Sequence, residues 1–511
     1  MNNRKRDPRR VEHPAPPGAP DFSGSAPHAV VVGAGIAGLA AATGLAERGV
    51  TVDVFERQNY LGGRVGGWTE ELPDGTPIAM NRGFHAFFRQ YYNLRDLLRR
   101  ADPGLSALTP VEDYPLVDAE GRRDTFRGLP RTPPWNALAF ALRSPTFRLR
   151  DLVSLNVRAA APLAAVSVPE IYDRLDDVDA ETFLRRINFP RAARHLAFEV
   201  FSRSFFAEPT QLSAAELAAM FHIYFLGSSE GLVFDVAAAN FDVALWRPLA
   251  DYLARRGVRF FTGVAVERVE SGAAKSFRVV SGGVNVDTDA VVLASDVAGL
   301  QRIVSGSPGL GDDAWRARVL GLRTAAPFVV QRLWLDKPVA ADRPAFLGTG
   351  GLEPLDNVSV LERYEREAAD WALNRGGSVI ELHSYAVDDA ASADQLRDRL
   401  VARLHGLYPE TRAAGIVAER VLHRDDCPQF GPGEFAGRPG VQTPHPTLML
   451  AGDGVRIDLP VALMERAATT GWAAANELLQ HWGVAGHPLH TVPTQGRFAL
   501  LRRLATRRKA A

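Results

Sequence analysis

The chain has 511 residues, with 59 lysines and arginines against 59 aspartates and glutamates. That balance excludes the basic surplus a nucleic-acid binder needs, and the length predicts two or more domains. The single cysteine, Cys427, excludes an intrachain disulfide framework and a cysteine metal site, fits a reducing compartment, and is expected to be a partly buried small residue rather than a catalytic thiol.

In chain order, residues 1–27 are basic and then Pro-rich, with no apolar core for a secretory signal, so they are expected to form a disordered leader. His28 to Val32 is a short apolar run that predicts a buried parallel strand. Gly33, Gly35 and Gly38 follow at GxGxxG spacing and open an alanine-rich helix, Ile36 to Arg48, which includes Ala37. Val50 to Phe55 predicts the second strand, closed by Glu56 and Arg57. A strand, a glycine turn, a helix and a second strand are the context a dinucleotide fingerprint requires. Gly33 allows the tight turn, Gly35 admits the pyrophosphate, and Gly38 lets helix and strand pack closely. The helix start then favours the phosphates. The Glu56 carboxylate can accept both hydroxyls of an adenosine ribose and would repel a 2′-phosphate. At this point FAD and NAD are both open.

"NYLGGRVGGW" comes next, placing permissive backbone at Gly62 and Gly63 and a guanidinium suited to pyrophosphate at Arg64. Further on, "MNRGFHAFFRQYYNLRDLLRRA" spans Met80 to Ala101. Phe201, Phe205, Phe206, Phe221, Tyr224 and Phe225 form an aromatic-rich set on predicted helices. For each of them, ordinary core packing and a place in a tunnel wall are both open. Scattered histidines such as His195 and His222 read as hydrogen-bonded core residues. Phe328 to Leu335 and Ser378 to Tyr385 predict strands of an antiparallel sheet. Near the end, Leu448 to Ala451 predicts a strand ending at Gly452 and Asp453. A helix with Ala467, Ala468, Gly471 and Ala474 on it follows. No run of about 18 apolar residues occurs, so no membrane-spanning helix is expected. The tail "GRFALLRRLATRRKAA" places Phe498, Leu501 and Leu504 roughly on one side of a helix flanked by arginines. It suits either an anionic membrane surface or a frayed, solvated terminus.

The glycine pair plus arginine after the second strand resembles the extended FAD fingerprint of the flavin amine oxidase and carotenoid desaturase superfamily. The strand ending in Ala-Gly-Asp and its small-residue helix resemble the C-terminal flavin motif of that superfamily, with Glu465 matching the acid of the helix. Gly83, His85, Phe87 and Phe88 match the GxHxFF segment of plant-type carotene desaturases. "FFRQYYNLR", "GLVFDVAAANFDVALWRPLADYL" and "GDGVRIDLPVALMERAATTG" resemble the carotene desaturase/methyltransferases of the isorenieratene synthase type, which make aromatic carotenoid end groups. The resemblance covers residues 28 to about 480. It implies an α/β chain with a Rossmann-type FAD-binding domain, discontinuous over 28–110, 250–304 and 420–485. The inserted α+β substrate domain is expected over 111–249 and 305–419, partly helical and membrane-facing, with a basic tail over 486–511. The cofactor is expected to be FAD, and no metal is expected. Its contacts are expected from Gly33, Gly35, Ile36, Ala37 and Gly38, from Glu56 and Arg57, and from Gly62, Gly63 and Arg64. Gly83, Phe84 and His85 should lie near the ring, Val266 near the adenine, and Gly452, Asp453 and Leu463 near the ribityl chain and ring.

The resemblance also implies a carotenoid substrate, which offers nothing to hydrogen-bond and needs an apolar tunnel. Aromatising a β-ionone ring requires hydride removal, a methyl shift, proton loss and a second oxidation. The expected catalytic residues are Asp458 as base, Arg456 beside it, and His85; Asp458 reads equally well as a plain ion pair with Arg456. Glu230 and Asp235 are lesser candidates. Linear carotene desaturation or isomerisation of the phytoene and zeta-carotene type is an alternative. A flavin amine oxidase and a protein using flavin only as structure are two others. The expected location is cytoplasmic, peripheral to the inner face of the cell membrane. Nothing in the sequence identifies the electron acceptor.

Overall fold

The apolar run His28–Val32 is the middle strand of a five-stranded parallel sheet. The spatial order is Arg259–Thr262, Thr51–Glu56, His28–Val32, Ala290–Leu293 and Leu448–Leu450. The structure is a computed structural model describing residues 7–497 apart from 23, 73, 147–152, 191–192, 194–204, 273–274 and 388–391. Where both faces of the sheet are covered, as at His28–Val32, Ala290–Leu293 and Leu448–Leu450, the strands read as continuous apolar runs rather than as alternation. Helix Ile36–Ala46 packs against helix Leu463–His481. The small residues foreseen on the second helix explain how closely they approach. A Cβ on Gly471 would run into the Ala37 carbonyl, and one on Gly44 would sit 2.7 Å from the Ala475 Cβ.

The two predicted insertions meet in one seven-stranded sheet. Its order is Ile416–Arg424, Phe328–Leu335, Ser378–Ser384, Asn357–Val360, Phe346–Gly350, Leu116–Asp118 and Arg123–Asp124. All neighbours are antiparallel except Phe346–Gly350 with Leu116–Asp118. Strand Ile416–Arg424 belongs to this sheet, so the return to the flavin domain falls after Arg424 rather than at 420. The rest of the first insertion is mostly helical, including Trp135–Arg143, Val157–Ala164, Ala180–Arg186 and Ala214–Phe221.

The ends of the chain correct the expectation of a disordered leader over 1–27. Val11–His13 pairs antiparallel with Leu489–Thr491. Asp7 is buried and accepts hydrogen bonds from the Tyr92 hydroxyl (2.8 Å), the Ser229 amide (3.0 Å) and the Ser228 hydroxyl (3.2 Å). A buried carboxylate bonded by donors from separate segments is a tie, not a tether. The basic tail from Phe498 onward, and with it Leu501 and Leu504, lies outside the described residues.

Candidate flavin and substrate site

A single cavity runs from the carboxyl ends of the parallel strands to the floor of the seven-stranded sheet. It measures about 2450 Å³ counting its open mouth. Crevices at that end of a parallel sheet are where dinucleotides bind in such folds. Gly33, Gly35, Ile36, Ala37, Glu56, Arg57, Gly62, Gly63 and Arg64 all line it. So do Phe84, His85, Val266, Gly452, Asp453 and Leu463.

The glycines divide by function. A Cβ on Gly35 would meet nothing nearer than the Gly63 Cα at 4.0 Å, so this backbone is open to the cavity, as a pyrophosphate requires. Gly38 is not in the wall; a Cβ there would collide with the Gly33 carbonyl, so its role is helix–strand packing. Gly83 is also behind the wall, with its carbonyl oxygen 2.8 Å from Nδ1 of His85. Glu56 is held from behind, one oxygen accepting the Ala34 amide and the other the Gln58 amide, both at 2.8 Å. A carboxylate fixed by two amides keeps lone pairs for ribose hydroxyls. The segment Val264, Ala265 and Val266 also lines the cavity, tied to the Glu56 carbonyl through the Val264 amide at 2.9 Å.

Arg64 and Asp453 form an ion pair with each other. Burial opposes the guanidinium charge, and the Asp453 carboxylate more than offsets that, so the Arg64 pKa stands well above its ordinary value. Arg57 pairs with Asp296 at 2.5 Å. Leu463, Met464 and Ala467, on the first turns of the 19-residue helix Leu463–His481, face the cavity. The positive end of that helix suits the negative charge a reduced flavin acquires. Among the described residues no group of three or more His, Cys, Asp or Glu could hold a metal.

The catalytic assignment of Asp458 and Arg456 is corrected by the structure. Asp458 is 51% exposed, its Oδ1 sits 3.0 Å from Nε of Arg456, and neither residue lines the cavity. The Arg456 amide bonds the Pro439 carbonyl at 2.9 Å, and its guanidinium lies over the Phe435 ring. Those ties carry the loop away from the flavin end. Asp235 is taken up by Arg89 (3.3 Å) and Arg95 (2.8 Å). Glu230 is also outside the wall. Glu465 accepts the Asn93 and Leu94 amides at 2.8 and 2.9 Å and so fixes the start of a neighbouring helix. His222 is a core residue, its Nε2 2.7 Å from the Pro493 carbonyl.

His85 is in the wall, with its ring edge-on to Phe241. Burial is the main cause that pulls its pKa down to about 4, so the imidazole is neutral near pH 7. A carbonyl can only accept, so Nδ1 carries the proton and Nε2 is the acceptor nitrogen. Cys427, foreseen as an inert small residue, also lines the cavity. Burial pushes its thiol up to about 11 and keeps it protonated.

Beyond the flavin end the wall becomes aromatic. Phe84, Phe88, Tyr114, Tyr224, Phe225 and Phe234 line it, with ring centroids such as Phe88–Tyr224 at 4.5 Å. Of the aromatic set read from the sequence, Phe206, Tyr224 and Phe225 are in this wall. Phe205 packs on Phe430, Phe221 stacks on Phe225, and Phe201, like His195, lies outside the described residues. The reading of the sequence missed Tyr385 and His383, which stand in the same wall, and Glu381 and Arg332 behind them. The signal was present: Glu381, His383 and Tyr385 alternate along "SVIELHSY", and alternate residues of a strand share a face.

A glycine-turn Rossmann unit, a second flavin strand and helix, and an inserted sheet closing an apolar cavity define an FAD-binding oxidoreductase. The chain belongs to the flavin containing amine oxidoreductase family, whose model matches residues 36–479. It is 57% identical to a carotenoid phi-ring synthase of Streptomyces griseus over 98% of this chain and 97% of that one. It is 27% identical to a carotenoid phi-ring synthase of Chlorobaculum tepidum, over 92% of this chain and 91% of that one. Among solved structures, putrescine oxidase superposes with a TM-score of 0.64 at 15% identity, covering 89% of this chain and 99% of that one. That last likeness is one of fold. FAD is the cofactor, and the cradle of Gly35, Glu56, Gly62 and Asp453 fits it.

Proposed function

We propose that this protein oxidises the β-ionone rings of a carotenoid, with methyl migration, to give aromatic end groups. The observation that carries the reading is the aromatic lobe continuous with the flavin end of one cavity. The 57% identical relative named a carotenoid phi-ring synthase supports the same substrate class. Bound FAD supplies the two-electron oxidations. The chain's own residues hold the cofactor, exclude water and face the ring. The electron-rich faces of Phe84, Phe88 and Tyr224 stabilise positive charge without offering a nucleophile that would trap it. His85, neutral and with Nε2 as acceptor, adds a weak base at the flavin end, and a ring cation is acidic enough to give a proton to one. Expression in a host making β-carotene, followed by pigment analysis, tests the reading. Aromatic carotenoids are expected. Changed unsaturation of linear carotenes instead would favour the phytoene and zeta-carotene type of reaction, and unchanged pigment would sink both.

The protein is peripheral to membranes in this account. No helix among the described residues is long and apolar enough to cross one. Within the membrane-facing first insertion, one helix offers a docking face. Helix Trp135–Arg143 exposes Trp135 (61%), Leu138 (44%) and Leu142 (58%) at helical spacing. Its other side buries Phe140 on Phe126, a residue of the cavity wall. Arg143 closes this helix and suits an anionic leaflet. Large apolar side chains that dip partway into a bilayer surface contribute about 1 kcal/mol each, roughly half of their full burial. Changing Trp135, Leu138 and Leu142 together to serine should therefore weaken partition onto anionic vesicles roughly a hundredfold. Flotation that is unaltered in the triple variant would contradict this face.

A further inference from the structure

Arg332 and Glu381 stand opposite each other in neighbouring strands of the substrate sheet, and each is almost fully buried. The guanidinium bonds one carboxylate oxygen of Glu381 through Nε (2.9 Å) and Nη2 (2.6 Å). The other oxygen faces Nε2 of His383 at 2.8 Å. Nδ1 of His383 lies 3.0 Å from the Tyr385 hydroxyl. Burial opposes the Glu381 charge, but Arg332 and His383 hold its carboxyl down at about 2, so it is a carboxylate. A carboxylate can only accept, so His383 donates from Nε2 and offers Nδ1 as an acceptor to the Tyr385 O–H. The Tyr385 hydroxyl proton is thus already aimed at a base whose other nitrogen is fixed by an acid. This is the logic by which a buried carboxylate orients a catalytic imidazole.

A purely structural network would end inside the protein. This one reaches the cavity: Tyr385 and His383 both line it, and Phe206 and Phe328 line it beside them. Tyr385 meets the Phe206 ring edge-on, with centroids 5.2 Å apart. The His383 ring also packs against Gly83, whose carbonyl bonds His85, so the relay and His85 flank the same space.

We propose that Tyr385 is a catalytic residue that accepts a proton leaving the oxidised ring, with His383 and Glu381 as the positioning residues that drain it. The inference rests on the ring oxidation proposed above. Once hydride has left to FAD and the methyl group has shifted, a C–H bond beside the cationic carbon breaks. Its electron pair becomes the new ring double bond. Its proton passes to the Tyr385 oxygen as the hydroxyl proton of Tyr385 passes to Nδ1 of His383. The resulting imidazolium is paired with the Glu381 carboxylate. No electrons change hands in this step, because the oxidation is complete when the hydride leaves.

The test uses the purified FAD-loaded protein with β-carotene and an added quinone as electron acceptor in vesicles, comparing wild type with Tyr385→Phe, His383→Gln and the double variant. Tyr385→Phe keeps the ring and its packing, so flavin content, flavin spectrum and KM should match wild type. Its kcat for aromatic product should fall roughly a hundredfold or more, the range of general-base effects. His383→Gln should lower kcat in the same way, and the double variant should fall no further than the worse single, because the two act as one relay. The solvent deuterium isotope effect of the wild type should vanish in Tyr385→Phe. A near wild-type kcat in Tyr385→Phe with intact aromatisation by wild type overturns the relay alone; should His383→Gln not fold, this arm decides. Losses that multiply in the double variant also overturn it. If wild type makes no aromatic rings, the ring-oxidation reading falls and the relay with it.

Discussion

Gly38→Ala is expected to yield a protein that carries no FAD. The added methyl group would overlap the carbonyl of Gly33 and stand 3.2 Å from a methyl of Val31. The obstructing carbonyl is backbone, so no side chain can swing aside. The helix Ile36–Ala46 must then lift from strand His28–Val32, which moves the amides that would hold the pyrophosphate. Overpacking of this kind costs on the order of 1–3 kcal/mol in the fold alone. Gly35→Ala is the informative partner, because its methyl group would point into the open cavity. It should leave the apoprotein as stable as wild type and yet lose the cofactor. Both are read from flavin released on denaturation, per mole of protein, and from melting of the apoprotein. Stoichiometric flavin in Gly38→Ala would contradict the assigned packing, and stoichiometric flavin in Gly35→Ala would contradict the assigned pyrophosphate position.

Glu216→Ala is expected to destabilise the protein by about 3–5 kcal/mol, the cost of stranding buried charge. Glu216 is wholly buried between two buried arginines, bonding Arg438 at 2.7 Å and Arg466 at 2.8 Å. Both guanidinia lie over the Phe430 ring, 4.5 and 4.8 Å from its centroid. With the carboxylate gone, two buried cations face an aromatic ring and each other without the anion that both of them bond. Burial raises the Glu216 pKa, but Arg466 and Arg438 more than reverse that, so it stands below its ordinary value. A depressed folded-state pKa means the stabilisation is present above the ordinary carboxylate range and is lost as pH falls through the folded value. The difference between wild type and Glu216→Ala in urea unfolding should therefore be full at pH 7 and shrink towards acid. A loss below about 1 kcal/mol at pH 7 would show that the arginines find other partners.

How much of this was legible in the sequence follows from the range of each constraint. The Gly33–Gly38 turn was readable because its partners, Gly33 and Val31, lie within a few residues of Gly38. The small face of helix Leu463–His481 was readable from its own spacing, although the helix it meets is more than 400 residues away in the chain. Strand pairing of Val11–His13 with Leu489–Thr491 was not readable, because two three-residue segments at opposite ends carry no pattern. Asp458 was placed by its distance from Asp453 along the chain. A loop has no period, so five residues fix no direction, and Asp458 stands half-exposed on Arg456 rather than in the cavity wall. The Glu381, His383 and Tyr385 alternation was periodic and therefore visible. Its meaning depended on Arg332, which only the register of two strands brings opposite Glu381.

The most direct measurement is proton NMR of the carotenoid recovered after purified, FAD-loaded protein has acted on β-carotene in vesicles with an added quinone as electron acceptor. The account predicts aromatic ring-proton signals with one methyl group moved to a neighbouring ring carbon, and two two-electron oxidations for each ring converted. Recovery of β-carotene with both rings unaltered, while the same preparation oxidises a linear carotene or an amine, would contradict it.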